Sequence, residues 1–425
     1  MSRAGPTGGR AHVVGAGLAG LSAAIRLTEA GWPVTIYESA RHAGGRCRSY
    51  FDDTLGCRID NGNHLLLAGN RSAMAYLDTI GARDALETVA PARIPFVDLD
   101  TGERWTLRPN AGPVGWWVFA PGRRAPGTRA GDYLAALKLR GAAGKTMADL
   151  FDPARPAYRR FWEPMAVAVL NTAADEAAAG LLWPVMTEIV LRGEAAFRPC
   201  IARDGLSEAF VDPALAWLAA RGGEVRFNAR CRSAAIEDGR VAALDFGTDR
   251  VTVGRGDTVV LAVPPAAAGT LLPDLTVPDD YRPIVNVHFR CPQPLPMPGD
   301  FPLLGLIGGT AQWIFRRGEI VSVTISAAAG AVDLPGDVLI GRVWADIRAA
   351  LSLGNTPSPP ARILTEKRAT IAQTPAQVAR RPAARTPLAN LFLAGDWTDT
   401  GLPATIEGAI RSGAIAAHAA GARRH

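Results

Sequence analysis

The stretch that most constrains this chain is Val13-Val14-Gly15-Ala16-Gly17-Leu18-Ala19-Gly20, an apolar strand that runs through a glycine-rich turn into a helix. Gly15 permits the tight turn, Gly17 lets backbone approach a pyrophosphate, and Gly20 lets helix and strand pack closely. The helix N-terminus, opening at Leu18 and Ala19, offers unpaired N–H groups to phosphate. Leu21, Ala24, Ile25 and Leu27 are spaced to face a sheet, and Gly31 stops the helix. The next strand, Val34-Thr35-Ile36-Tyr37-Glu38, ends in an acid where a ribose hydroxyl should lie, which makes Glu38 the expected ribose clamp. The glycine pattern alone also occurs in unrelated loops. Strand, helix and terminal acid together make it a dinucleotide cradle.

A chain of 425 residues is too long for one small core and suits two intertwined domains. Only three of its 46 basic residues are lysines, so the net charge of +6 is an arginine surplus. That surplus fits a GC-rich genome, and it also favours an anionic membrane surface. It reads as too diffuse for nucleic acid, and no aromatic-interleaved basic patch supports such a partner. The cysteines, Cys47, Cys57, Cys200, Cys231 and Cys291, are odd in number and scattered. This spacing suits a reducing, cytoplasmic compartment, with neither a disulfide framework nor a metal site. Residues 1–10 read as a disordered tail without the apolar core of a signal peptide. No run of about 18 apolar residues predicts a spanning helix, so the protein is expected to be soluble or peripheral.

Beyond Glu38, Arg41-His42-Ala43-Gly44-Gly45-Arg46 forms a second loop able to lie against a pyrophosphate, with Arg46 supplying charge-assisted bonds. The cradle, the terminal Glu and this G-G-R loop together resemble the FAD-binding region of the amine oxidase and phytoene desaturase superfamily of flavoproteins. The resemblance implies non-covalent FAD and an α/β fold. A Rossmann-like FAD-binding domain would be assembled discontinuously from residues 11–71, 201–270 and 365–421. A mixed-sheet plus helical substrate domain would come from 72–200 and 271–364. It also places Asn61, Gly62 and Asn63 beside the flavin, and makes Asn63 and His64 the first candidates near the reacting carbon. A lone histidine is more often structural.

From Ser72 to Cys200 the chain reads as helical pieces broken by Pro and Gly. Trp116-Trp117-Val118-Phe119, between Pro113 and Pro121 and followed by Arg123 and Arg124, suits either a membrane interface or the wall of a core or tunnel. Glu163 is an acid in apolar company, either a proton donor or an ion-paired helix start. A helix through Phe210 and Leu215 precedes strands at 224–227, 229–236 and 241–245. The resemblance packs Cys231 on the adenine as a small hydrophobe. Residues 283–350 read as a sheet region, with Val285 to Phe289 and Val321 to Ser326 alternating by twos. In the superfamily such a sheet floors the substrate cavity. Asn390 to Trp397 is a buried strand ending in Gly-Asp, followed by a helix near Ile406. The resemblance carries over Gly395, Asp396, Ile406 and Glu407 as FAD contacts, several through backbone.

Amine oxidation is disfavoured. Thr405 stands where many amine oxidases place a cage tyrosine, Lys367 is the sole late lysine, and no cysteine follows Cys291 to tether a flavin. The string from Gly395 to Ala409, with Arg46-Cys47-Arg48-Ser49-Tyr50-Phe51 and Asp60-Asn61-Gly62-Asn63-His64, resembles the squalene-associated FAD-dependent desaturases, understood as hydroxysqualene dehydroxylases of bacterial hopanoid pathways. The resemblance runs from His12 to Ala420. It implies a C30 isoprenoid substrate, an external electron donor, and a proton donor for the departing hydroxyl, for which His64 and Glu163 are the candidates. It further suggests peripheral docking on the inner face of the membrane, near squalene-synthase-like enzymes. The rival expectations are a carotenoid-type desaturase and a non-enzymatic prenyl-binding protein.

Overall fold

The computed structural model describes residues 8–112 and 115–421. Strand β1 (Ala11–Val14), helix α1 (Leu18–Glu29) and strand β2 (Val34–Tyr37) follow the expected order. The two strands belong to a five-stranded parallel sheet, ordered Glu224–Arg226, β2, β1, Thr258–Leu261 and Leu391–Leu393. The four strands other than Glu224–Arg226 are buried along their whole length, as befits a parallel sheet covered on both faces. The sheet therefore joins the beginning, middle and end of the chain.

Two helices leave this sheet at the carboxyl ends of their strands: α1 after β1, and Ile406–Ala419 after Leu391–Leu393. Their contact is backbone-close. A Cβ on Gly413 would stand 2.1 Å from the Ala19 carbonyl oxygen, and Ser22 Oγ donates to the Ile410 carbonyl at 2.7 Å. That approach sets the two helix N-termini side by side at the edge where α/β sheets bind ligands.

The second sheet has seven strands, ordered Ala361–Ile371, Tyr281–Arg290, Ile320–Ile325, Trp313–Arg317, Leu303–Ile307, Ile94–Asp98 and Arg104–Leu107. Its second and third strands alternate. Val285, Val287 and Phe289, with Val321, Val323 and Ile325, pack against Leu339, Val343, Trp344 and Ile347 of the helix Gly336–Leu351. The opposite face carries Asn286 and His288, paired in register with Thr324 and Ser322. Reading 283–350 as sheet alone missed that sixteen-residue helix, although its apolar spacing was visible. Short helical pieces from Trp116–Phe119 to Glu194–Phe197 enclose a further core around Trp117, Leu139, Met147 and Trp162.

Other boundaries also differ from expectation. The strand expected from Ala229 begins at Ser233, because Asn228 and Ala229 N–H instead donate to the Ala40 and Glu38 carbonyls. The helix through Phe210 opens with a wide π turn, Ser207–Val211, before Asp212–Ala219. Of the tail expected to be disordered, 1–7 lie outside the described residues, as does Pro113. Gly9 is buried against Gly256, and Arg10 N–H donates to Asp257 at 2.7 Å.

Candidate active site

Two of the three cradle glycines are required by the protein itself. Gly15 has φ +106°, and a Cβ there would lie 2.4 Å from the Ala262 carbonyl oxygen; one on Gly20 would lie 1.9 Å from that of Gly15. Gly17 differs. Its φ of −71° suits any residue, and a Cβ would meet nothing within 4 Å. The side chain is missing where there is open space, at the uncapped N-terminus of α1 formed by Leu18 and Ala19. A group outside the protein explains that glycine, and a phosphate-bearing ligand fits it.

The second glycine loop closes on the first. Gly44 N–H donates to the Ala16 carbonyl at 2.8 Å, and a Cβ on Gly45 would stand 3.5 Å from Gly17 Cα. Glu38 reaches back into the cradle, its carboxylate accepting from Ala16 N–H and Ala40 N–H at 2.8 Å each. Ala229 N–H donates to the Glu38 carbonyl at 2.8 Å, which brings the half-buried Cys231 to the same end of the cradle. Burial pushes the Cys231 thiol up to about 11, so it acts as a small apolar surface.

Arg46 crosses to the other end of the chain, donating to Asp396 at 2.8 Å and to the Ala369 carbonyl at 2.5 Å. Gly395 N–H is fixed by Ser412 Oγ at 2.8 Å. Thr405 caps the last helix by accepting from Gly408 N–H at 3.2 Å, which leaves the N–H groups of Ile406 and Glu407 for a ligand. The Glu407 side chain is committed elsewhere. Its buried carboxylate caps the helix Arg71–Ile80, accepting from Ser72 and Ala73 N–H at 3.0 and 2.8 Å, and pairs with Arg411 at 2.8 Å. Any contact of Glu407 with a cofactor is therefore through backbone.

Sequence reasoning missed Arg381. It is buried, and its guanidinium donates to the carbonyls of Asp396, Thr398 and Leu402, at 2.8 Å for the last. It braces the loop that follows Gly395-Asp396. Carbonyls belong to every residue, so no side-chain pattern announced this clamp.

The segment 60–64 runs under the polar face of the large sheet. Asp60 is a buried hub that accepts from Ser49 Oγ at 2.6 Å, Leu206 N–H at 3.0 Å and Arg317 at 2.5 Å. A Cβ on Gly62 would stand 3.2 Å from the Asn286 amide nitrogen, so Gly62 lets the chain lie on that sheet. Asn63 donates from its amide to Asn286 Oδ1 at 3.3 Å and to Thr324 Oγ1 at 3.1 Å, whereas Asn61 reaches only the Arg46 carbonyl at 3.4 Å. His64 and Asn63 border a cavity of about 30 Å³ with Asp60, Ile201, Phe315 and Arg317. The His64 ring has no hydrogen-bond partner among the described residues. Burial pushes its pKa down to about 4, so it is neutral at pH 7 and acts as a hydrogen-bond donor rather than a standing acid. Half-buried Leu65, Phe197, Ile201, Trp313 and Phe315 continue an apolar wall from there.

Glu163 is not part of this arrangement. It opens the helix Glu163–Leu170 with an exposed carboxylate that makes no ion pair among the described residues and does not border the cavity with His64. Local desolvation, and then the repulsion of Asp175, raise its pKa against the pull of Arg159. Trp116–Phe119 is divided: Trp117 and Val118 are buried in the core, while Trp116 and Phe119 face out.

A dinucleotide cradle, a second helix N-terminus beside it and an apolar wall define a flavin-dependent oxidoreductase. Residues 18–420 match the family described as flavin containing amine oxidoreductase, and the bound cofactor is FAD. A cyclohexylamine oxidase from Brevibacterium oxydans shares the fold, with a TM-score of 0.69 at 14% identity over 97% of this chain and 98% of that one. A hydroxysqualene dehydroxylase of Rhodopseudomonas palustris is 47% identical over 96% of this chain and 97% of its own length. One from Zymomonas mobilis is 45% identical over the same shares. The chain belongs to the hydroxysqualene dehydroxylase family.

Proposed function

We propose that the protein reduces hydroxysqualene to squalene and water. The similarity over nearly the whole of both chains carries this reading, and the apolar wall beside the flavin cradle supports it. Reduced FAD supplies the hydride when bound. The chain's own residues bind and orient. Gly15, Gly17, Gly20, Gly44 and Gly45 with the N-terminus of α1 receive the pyrophosphate, and Glu38 the ribose. Arg46, Asp396 and the backbone of Ile406 and Glu407 hold the flavin end. Asn63, fixed by Asn286 and Thr324, sets the position of His64 beside the cavity.

Hydroxide leaves poorly, so its oxygen must gain a proton as the C–O bond breaks. His64, whose ring nitrogens are uncommitted within the fold, is the group we place at that oxygen: neutral at rest, it takes a proton from water and passes it on as the C–O bond breaks, and Glu163 is the weaker candidate because it faces solvent. We assign residues 11–71, 201–270 and 365–421 to the FAD-binding domain, and 72–200 and 271–364 to the substrate domain. The reductant is external, and the protein works against the inner face of a membrane, next to the enzymes that make its substrate. Product extraction tests the reading. Squalene from hydroxysqualene and reduced holoprotein supports it. Desaturation of phytoene by the oxidised holoprotein, with hydroxysqualene returned unchanged, would assign the site to a carotenoid-type desaturase.

A further inference from the structure

Residues 115–145 hold a surface that the flavin chemistry does not use. Trp116–Phe119 is a single 3₁₀ turn, in which residues three apart share a ridge. Trp116 and Phe119 form its outer ridge, 48% and 62% exposed, while Trp117 and Val118 point inward. The neighbouring turns, Ala130–Leu134 and Ala135–Leu139, repeat the arrangement. Leu134 and Leu137 are 51% and 65% exposed, while Tyr133, Ala136 and Leu139 are buried. The Trp117 and Tyr133 rings meet edge to face at 5.2 Å, so the two turns are neighbours in the fold. Four large apolar side chains thus stand in water on two adjoining turns of the helical region.

Charge is concentrated in the same residues. Arg123, Arg124, Arg129, Lys138, Arg140 and Lys145 face Asp132 alone, which is +5 of the chain's +6 in 31 residues. Among the described residues none of the six pairs with a carboxylate, and Asp132 is itself neutralised by Arg155 at 3.1 Å. The Arg123 guanidinium lies 4.9 Å over the Trp116 ring, an aromatic and a cation at one level of the surface. The sequence excess that read as diffuse is thus local.

We propose that this face docks on a bilayer containing anionic lipid. Trp116, Phe119, Leu134 and Leu137 enter the headgroup region, and Lys138, Arg140 and Lys145 meet the lipid phosphates. No helix among the described residues is long and apolar enough to cross a membrane, so contact is from one side. The apolar ridges decide for lipid against other polyanions, which offer no hydrocarbon to receive them. The proposal names the membrane partner of the reading above.

Sedimentation of the FAD-loaded protein with vesicles, without substrate, tests it independently of the dehydroxylation chemistry. The parent is expected to pellet with phosphatidylcholine vesicles that contain about one third phosphatidylglycerol, and to stay in solution with phosphatidylcholine alone. The variant Trp116→Ser, Phe119→Ser, Leu134→Ser, Leu137→Ser should lose about tenfold or more in partitioning. The variant Lys138→Glu, Arg140→Glu, Lys145→Glu should lose as much and no longer respond to salt up to about 1 M. All seven positions are at the surface, and retained flavin absorbance verifies the fold of each variant. Equal binding to both vesicle types, or parental binding by either variant, overturns the proposal. So does a concentration-dependent dimer that the serine variant dissociates, because a second copy would then cover the face.

Discussion

At the scale of single residues, the glycines of the cradle separate what the fold needs from what the cofactor needs. Gly20→Ala puts a methyl on the Gly15 carbonyl and should cost about 4 kcal/mol or more, visible as failure to accumulate folded protein. Gly17→Ala meets only open space. Its flavin-free form should unfold within about 0.5 kcal/mol of the parent, while FAD no longer survives gel filtration; equal FAD retention would contradict the role given to Gly17. His288 gives a second test. It is buried against Ser322 Oγ at 2.6 Å, and burial lowers its pKa to about 4. Unfolded, the ring titrates at its ordinary 6.5. Between 6.5 and 4 the unfolded chain binds a proton that the native one does not, so stability is lost as pH falls through that window, by up to about 3 kcal/mol. Urea midpoints at pH 7 and 4.5 should differ less in His288→Gln than in the parent; an unchanged pH dependence would contradict this. The glycines were legible in sequence because their spacing falls between a strand, a helix and a terminal acid that are close in the chain. His288, Asn286 and Arg381 were not, since each acts through partners far away in the chain.

At the scale of elements, the Glu407 carboxylate belongs to a helix end, which leaves its backbone for the expected cofactor contact. Glu407 sits where the sequence pattern suggests flavin contact, but its oxygens cap Arg71–Ile80 and pair with Arg411. Glu407→Gln removes a buried charge from that triad and should cost about 3 kcal/mol in a denaturant titration. The folded fraction should keep its FAD affinity, because the Glu407 carboxylate is committed within the fold; a selective loss of affinity without loss of stability would reverse the assignment. Helix α1 was legible from its apolar period, and the parallel strands from short apolar runs that end in a glycine after β1, an acid after β2, prolines after Thr258–Leu261 and Gly-Asp after Leu391–Leu393. The helix Gly336–Leu351 was obscured by the strands on either side of it, and the helical region by its short, proline-broken pieces, whose partners are set by tertiary packing rather than local pattern.

At the scale of the molecule, the parallel sheet collects strands from residues 11–37, 224–261 and 391–393, and Arg46 pairs with Asp396 across 350 positions of the chain. FAD held by the proposed contacts would therefore tie together segments separated by most of the chain. At a hundred times its dissociation constant it should stabilise the fold by about 2.7 kcal/mol, so the flavin-free protein should melt several degrees lower; coincident melting of both forms would argue against a cofactor held across the sheet. The chemistry itself is tested most directly without oxygen. Holoprotein is reduced chemically and mixed with hydroxysqualene, the return of oxidised flavin absorbance is followed, and squalene is extracted from the same sample. The account predicts one squalene for each flavin reoxidised. Reduced flavin that persists beside unchanged hydroxysqualene, in protein that binds FAD, would contradict it.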